Sequence, residues 1–153
     1  MNRRRAAAVV IVAAAGQESR TRAVLVGLEE EGVPAQVLSS RECAAVEPDD
    51  ADGLAEFAAR RADFDVGIGV AADGRTHVRH ARLPADHLGG VGPRAPEHEL
   101  RGLGQDAGRL VTRLPLRHLG ARPARSAVAS ASCTDDDDGA SATLSEERPK
   151  EIP

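Results

Sequence analysis

Ala7-Ala8-Val9-Val10-Ile11-Val12-Ala13-Ala14-Ala15-Gly16-Gln17-Glu18-Ser19-Arg20-Thr21-Arg22-Ala23-Val24-Leu25-Val26-Gly27-Leu28-Glu29-Glu30-Glu31-Gly32-Val33-Pro34-Ala35-Gln36-Val37-Leu38 changes its hydrophobic period twice. The β-branched run Val9 to Val12 predicts a buried first strand over residues 7–14. Gly16 to Ser19 forms the turn, with Ser19 as the expected N-cap of a helix over residues 20–31. Gly32 at C′ and Pro34 just beyond stop that helix, and residues 35–38 resume as a short second strand. The opening is therefore a β-α-β unit, and the fold class is α/β.

Working outward, Asp49-Asp50-Ala51-Asp52 puts acids at the start of a second helix, where the macrodipole favours them. Leu54, Phe57 and Ala58 recur along it at helical spacing, and it should end near Arg61. Val66-Gly67-Ile68-Gly69-Val70 reads as a buried strand, Ala72-Asp73-Gly74 as a tight turn, and residues 76–81 as a returning antiparallel strand, so the central sheet should be mixed. Pro and Gly between Leu83 and Pro96 predict an irregular loop. Leu100, Leu103, Ala107, Leu110 and Val111 mark one face of a final helix that Pro115 closes.

The 153 residues suit one small domain over residues 1–120, with helices flanking the sheet, followed by a low-complexity acidic tail over residues 121–153. That tail has hardly any large apolar side chain to repay the entropy of ordering, so it is expected to be disordered. Phe57 and Phe64 are the only aromatics, so Ala, Val and Leu must build the core. At about 25 cal/mol per Å² of apolar area, such small side chains leave a thin stability margin, which a permanent partner would widen. A net charge of −4 offers no basic field for a nucleic acid. Cys43 and Cys133 alone can build neither a disulfide framework nor a four-cysteine zinc site, which fits a reducing cytoplasm. Arg3-Arg4-Arg5 followed by Ala6 to Ala15 has the outline of a secretory signal, but the apolar run is far shorter than the roughly 20 residues of a membrane helix and is rich in β-branched residues. A first strand is the better reading, with an exported domain the rival.

Most arrangements that could carry chemistry are incomplete. The first strand-to-helix turn offers one glycine, Gly16, without G-x-G-x-x-G or Gly-Lys-Ser/Thr, and Glu18 would repel a phosphate there. His77 and His80 share a strand at odd spacing and so face opposite ways, while His87, His98 and His118 lie on other elements. Ser19 lacks a nucleophile elbow, and Cys43 reads as an ordinary buried or half-exposed thiol. No catalytic residue is assigned. Glu29-Glu30-Glu31 stands apart, because three acids at a helix C-terminus oppose the macrodipole by about 0.3–1 kcal/mol each and repel one another. A cation would relieve both penalties: either an Arg/Lys patch on a partner, or a shared Mg²⁺ or Ca²⁺, which carboxylate oxygens suit.

Four segments together resemble one family: Val26-Gly27-Leu28-Glu29-Glu30-Glu31-Gly32-Val33-Pro34, Val66-Gly67-Ile68-Gly69-Val70, Leu83-Pro84-Ala85, and Ala107-Gly108-Arg109-Leu110-Val111 with Leu114-Pro115-Leu116-Arg117. In order and spacing they are similar to the small subunit of the reactivating factor for adenosylcobalamin-dependent diol and glycerol dehydratases, up to about Leu119. The resemblance implies a fold like the dehydratase medium subunit and a large-subunit partner with an actin-like ATPase, the two forming a heterotetramer. It implies that the factor binds a dehydratase carrying damaged cobalamin, that the small subunit competes with the medium subunit so the cofactor escapes, and that ATP then releases the factor. The setting implied is the cytoplasm, in association with a bacterial microcompartment. It further implies that the middle acid, Glu30, reaches a metal shared with the large subunit, with Glu29 and Glu31 beside it at the partner contact. No cofactor is expected on this chain alone, and neither nucleic acid nor membrane is an expected partner. Asp106, Gly108 and Leu116 depart from the family's usual residues, which predicts a looser last helix. The alternative function is a degenerate dehydratase medium subunit that still contacts cobalamin.

Overall fold

The structure, a computed structural model, describes residues 7–119. Arg3 to Ala6, the tail over residues 121–153, Cys133 and the Asp135–Asp138 run lie outside the described residues. The elements follow as β1 (Val9–Ala13), α1 (Glu18–Glu30), β2 (Ala35–Ser39), a 3₁₀ turn (Ser40–Glu42), α2 (Ala51–Arg61), β3 (Val66–Val70), β4 (Thr76–His80), β5 (Gly90–Val91) and α3 (Glu97–Thr112). The sheet order is β2-β1-β3-β4-β5; β1 runs parallel to β2 and β3, and the β3-β4 and β4-β5 pairs are antiparallel. The mixed α/β sheet read from the sequence is thus the one found.

Strand alternation divides the core in two. Val9 and Ile11 of β1, with Val66, Ile68 and Val70 of β3, pack with Val24 and Leu28 of α1 and Leu100, Leu103 and Ala107 of α3. Val10 and Val12 pack on the other side with Leu54 and Ala58 of α2 and with Cys43. Because both faces are covered, β1 and β3 read as continuous apolar runs rather than alternating ones.

A core almost without rings closes by bringing backbones together. A Cβ on Gly67 would lie 2.0 Å from Ala59 N, and one on Gly69 would lie 2.3 Å from Ala51 O. These two glycines form the face of β3 on which the alanines of α2 rest. Phe57 and Phe64 are only partly buried and sit at the margins of the two clusters.

The local signals mostly act as read. Asp50 caps α2, accepting from Gly53 N–H at 2.9 Å. The end of α1 is a Schellman motif: Gly32 N–H donates to Glu29 O at 2.9 Å, Val33 N–H donates to Leu28 O at 3.1 Å, and Gly32 has φ +71°. Val33 and Leu28 complete it by packing in one cluster.

Three expectations need correction. Ser19 is not the N-cap, because the Gly16 turn, at φ +84°, closes early and α1 starts at Glu18 after Gln17. The Glu18 carboxylate reaches back to accept from Gly16 N–H at 3.3 Å. The loop after Leu83 contains the short strand β5, where Gly90 lets the chain approach Thr76 O more closely than a Cβ would allow. Finally, α3 stops at Thr112, ahead of Pro115, with Arg113 in the left-handed region and Leu114 N–H donating to Arg109 O at 2.9 Å.

Gly67→Ala should destabilise the protein by about 3 kcal/mol, since its methyl must displace the α2 backbone. Gly89→Ala, which meets nothing within 4 Å, should stay within about 0.5 kcal/mol in the same urea titration.

Candidate partner-docking site

The three acids lie where α1 meets α3, and small residues set that meeting. A Cβ on Gly27 would fall 2.1 Å from Arg101 O, and one on Gly104 would fall 2.2 Å from Val24 O. One further turn along, a Cβ on Gly108 would lie 2.7 Å from Glu31 Cβ. The helices therefore touch backbone to backbone, and α3 can carry its long side chains to the end of α1.

Arg101, Gln105 and Arg109 stand at i, i+4 and i+8 on α3, one stripe along this seam. Arg101 grips Glu30 in a bidentate pair, with its Nε donating to Oε2 at 2.9 Å and its Nη2 donating to Oε1. Gln105 Nε2 donates to the same Oε2 at 2.6 Å. Arg109 Nε donates to Glu31 Oε1 at 3.2 Å and its Nη1 to Pro115 O at 3.2 Å. Glu29 is exposed. The cation that the acids at this helix end require is thus supplied by the chain's own α3. Arg101 and Arg109 are the side chains of this site that sequence reasoning missed; their eight-residue spacing, two helical turns, with Gly104 and Gly108 between them was the available signal.

The two pairs differ in kind. Glu31 and Arg109 are enclosed, their side chains 15% and 12% exposed. Glu30 and Arg101 lie outside them at 31% and 51%, where solvent screening leaves an ion pair about 0.2–1 kcal/mol.

Below the seam, fully buried Asp106 accepts three backbone N–H groups, from Arg117 at 2.8 Å and from His118 and Leu119 at 2.6 Å each. It folds the segment after α3 back onto the helix. The expected loosening by Asp106 and Gly108 is therefore corrected: the carboxylate adds an acceptor, and the missing Cβ admits Glu31.

The other candidates stay apart. His77 faces Asp52 at 3.7 Å, whereas His80 Nδ1 accepts from Arg82 N–H at 3.1 Å. Among the described residues no group of three or more His, Cys, Asp and Glu could hold a metal ion. Gln17 Nε2 donates to Ala72 O at 2.7 Å, tying the first turn to the β3-β4 turn. Cys43 is buried, and burial pushes its thiol pKa up, which suits an inert packing role rather than a nucleophile. No described helix is long and apolar enough to cross a membrane.

Arg109→Ala should cost about 2–3 kcal/mol, because it leaves Glu31 enclosed without its donor and frees Pro115 O. Arg101→Ala should cost less than about 1 kcal/mol, since its pair is exposed. Urea midpoints of the two variants check the order.

Residues 6–117 match the family model described as dehydratase medium subunit. The probable glycerol dehydratase-reactivating factor small subunit of Citrobacter freundii is 38% identical over 97 residues, 61% of this chain and 76% of that protein. A solved glycerol dehydratase reactivase superposes with a TM-score of 0.65 at 34% identity, over 72% of this chain and 96% of that one. A diol dehydratase-reactivating factor solved with ADP and Mg²⁺ gives 0.60 at 28% identity, over 74% and 99%. The chain therefore belongs to the dehydratase medium subunit family, and its likeness runs to the small subunit of the glycerol dehydratase-reactivating factor.

Proposed function

We propose that this chain is the non-catalytic small subunit of a chaperone-like, ATP-dependent reactivating factor that frees damaged cobalamin from an adenosylcobalamin-dependent diol or glycerol dehydratase. The observation that carries the reading is the likeness in fold and sequence to reactivase chains over nearly their whole length. The chain works in the cytoplasm and joins a large subunit that binds and hydrolyses the nucleotide. Its own first strand-to-helix turn offers a phosphate little, since the Glu18 carboxylate already occupies Gly16 N–H. Sharing the medium-subunit fold lets it exchange with that subunit: what holds one against a larger neighbour can hold the other, and the exchange opens the cofactor's exit.

The contact with the large subunit is the outer end of the seam, Glu29, Glu30 and Glu31. Glu30 is a hard oxygen donor with a partly exposed side chain, which fits one ligand of a Mg²⁺ or Ca²⁺ whose other ligands come from the partner. When bound, such an ion would neutralise acids facing each other across the interface. Arg109 keeps Glu31 in place, and the Schellman turn fixes where the α1 end points.

The family description also favours a second reading, a degenerate medium subunit that contacts cobalamin. It would retain the corrinoid absorbance through gel filtration; the reactivase subunit would not.

The test is reactivation of an inactivated dehydratase holoenzyme by the large subunit with ATP, Mg²⁺ and fresh adenosylcobalamin. Activity should return only when this chain is present, and Glu30→Lys should weaken large-subunit binding at least about ten-fold, roughly 1.4 kcal/mol. Full reactivation without this chain would contradict the proposal.

A further inference from the structure

The two ion pairs of the seam are held by different means. Glu31 and Arg109 are enclosed, and Arg109 is fastened a second time at Pro115 O. The backbone of Arg101 is packed in the seam, its carbonyl oxygen 2.1 Å from where a Cβ of Gly27 would be. Its guanidinium is half exposed and, among the described residues, bonds only to Glu30. It can turn into solvent without moving either helix.

Glu30 would not collapse when it does. Gln105 Nε2 holds Oε2 at 2.6 Å, a neutral donor that orients the carboxylate while leaving its charge unpaired. A second cation sharing these two oxygens with Arg101 would meet strong like-charge repulsion at short range, because Oε2 already takes two donors and Oε1 takes one, from the same guanidinium. Displacing Arg101 removes that repulsion.

We propose that Arg101 is a displaceable internal cation: it occupies the Glu30 carboxylate in the free subunit and must give way to a cation brought by the large subunit. This rests on the reading that Glu30 faces that partner. Arg101 therefore weakens docking. It keeps the acidic helix end satisfied while the subunit is alone, and it makes association an exchange of one cation for another rather than a simple addition. A factor that must bind and then let go benefits from a contact whose displaced group stays tethered beside it. The incoming cation is either a divalent ion or a basic side chain, and the chemistry required of Glu30 is the same for both.

The test measures the dissociation constant of the full-length chain for its large subunit by titration calorimetry, with Mg²⁺ present and with EDTA. Arg101→Ala should tighten association about five-fold, the fold-change an exposed ion pair can supply. In a Glu30→Gln background the same substitution should change nothing. A gain seen only with Mg²⁺ identifies a divalent ion, and a gain in both arms identifies a basic side chain; each supports the exchange. Association unchanged or weakened by Arg101→Ala, while Glu30→Gln still impairs it, overturns the displacement and leaves the docking site standing. If Glu30→Gln alone has no effect, the docking site itself is wrong and the displacement falls with it. A single cooperative urea transition, with the chain fully folded under the titration conditions, shows that neither variant acts through unfolding.

Discussion

Gly27 and Gly104 let α1 and α3 meet with no side chain between them, and the layer on that face of the sheet is arranged around the contact. Two backbones this close cannot tolerate a methyl at either position, so the relative placement of the helices is fixed by exclusion rather than by any strong attraction. The same device recurs on the other face of the sheet, where Gly67 and Gly69 receive the alanines of α2. A chain with two phenylalanines and no larger ring cannot fill wide gaps between layers, so it removes the gaps. The cost is sensitivity: each close approach turns a one-carbon change into a displacement of backbone.

That geometry also decides the electrostatics. Acids at the end of α1 face the negative end of their own helix dipole, an arrangement that is unfavourable in isolation. Close packing carries the stripe of Arg101, Gln105 and Arg109 to them, so the penalty is met inside the chain. What remains for a partner is graded. Glu31 is committed to the fold by an enclosed arginine, Glu29 is exposed at the surface, and Glu30 is held by a half-exposed group that can leave. A helix terminus has in this way been divided among anchoring, exchange and exposure over three consecutive residues.

Much of this was legible in the sequence wherever the signal was local. The Gly32-Val33-Pro34 stop, the acidic start of α2 and the Val66–Val70 run each act through neighbours a few residues away, and each element appeared where expected. The misses involve partners distant in sequence, a very short element, and one local turn whose positive-φ glycine shifts the helix start. Ser19 lost its capping role to a turn that closes two residues earlier, and β5 is two residues long, held by a close approach to β4 rather than by β propensity. Glu29, Glu30 and Glu31 stood out together as an electrostatic anomaly, but the partner of Glu30 lies 71 residues away, and only the glycines of both helices, read together, would have placed Arg101 opposite it. The Asp106 cradle was opaque for a similar reason, since a lone Asp on an apolar helix face gives no sign of the backbone that will return to it.

The central claim is that the outer end of the α1-α3 seam is the surface this subunit presents to its larger partner. Carboxyl footprinting of the chain alone and in complex with the large subunit tests it most directly, because Glu29, Glu30 and Glu31 can be read separately from Glu47 and Asp49 before α2. The account predicts that labelling at Glu29 and Glu30 falls sharply on complex formation, that Glu31, already enclosed, changes little, and that Glu47 and Asp49 keep their labelling. Loss of labelling at Glu47 and Asp49 with Glu29 and Glu30 unaffected would contradict it.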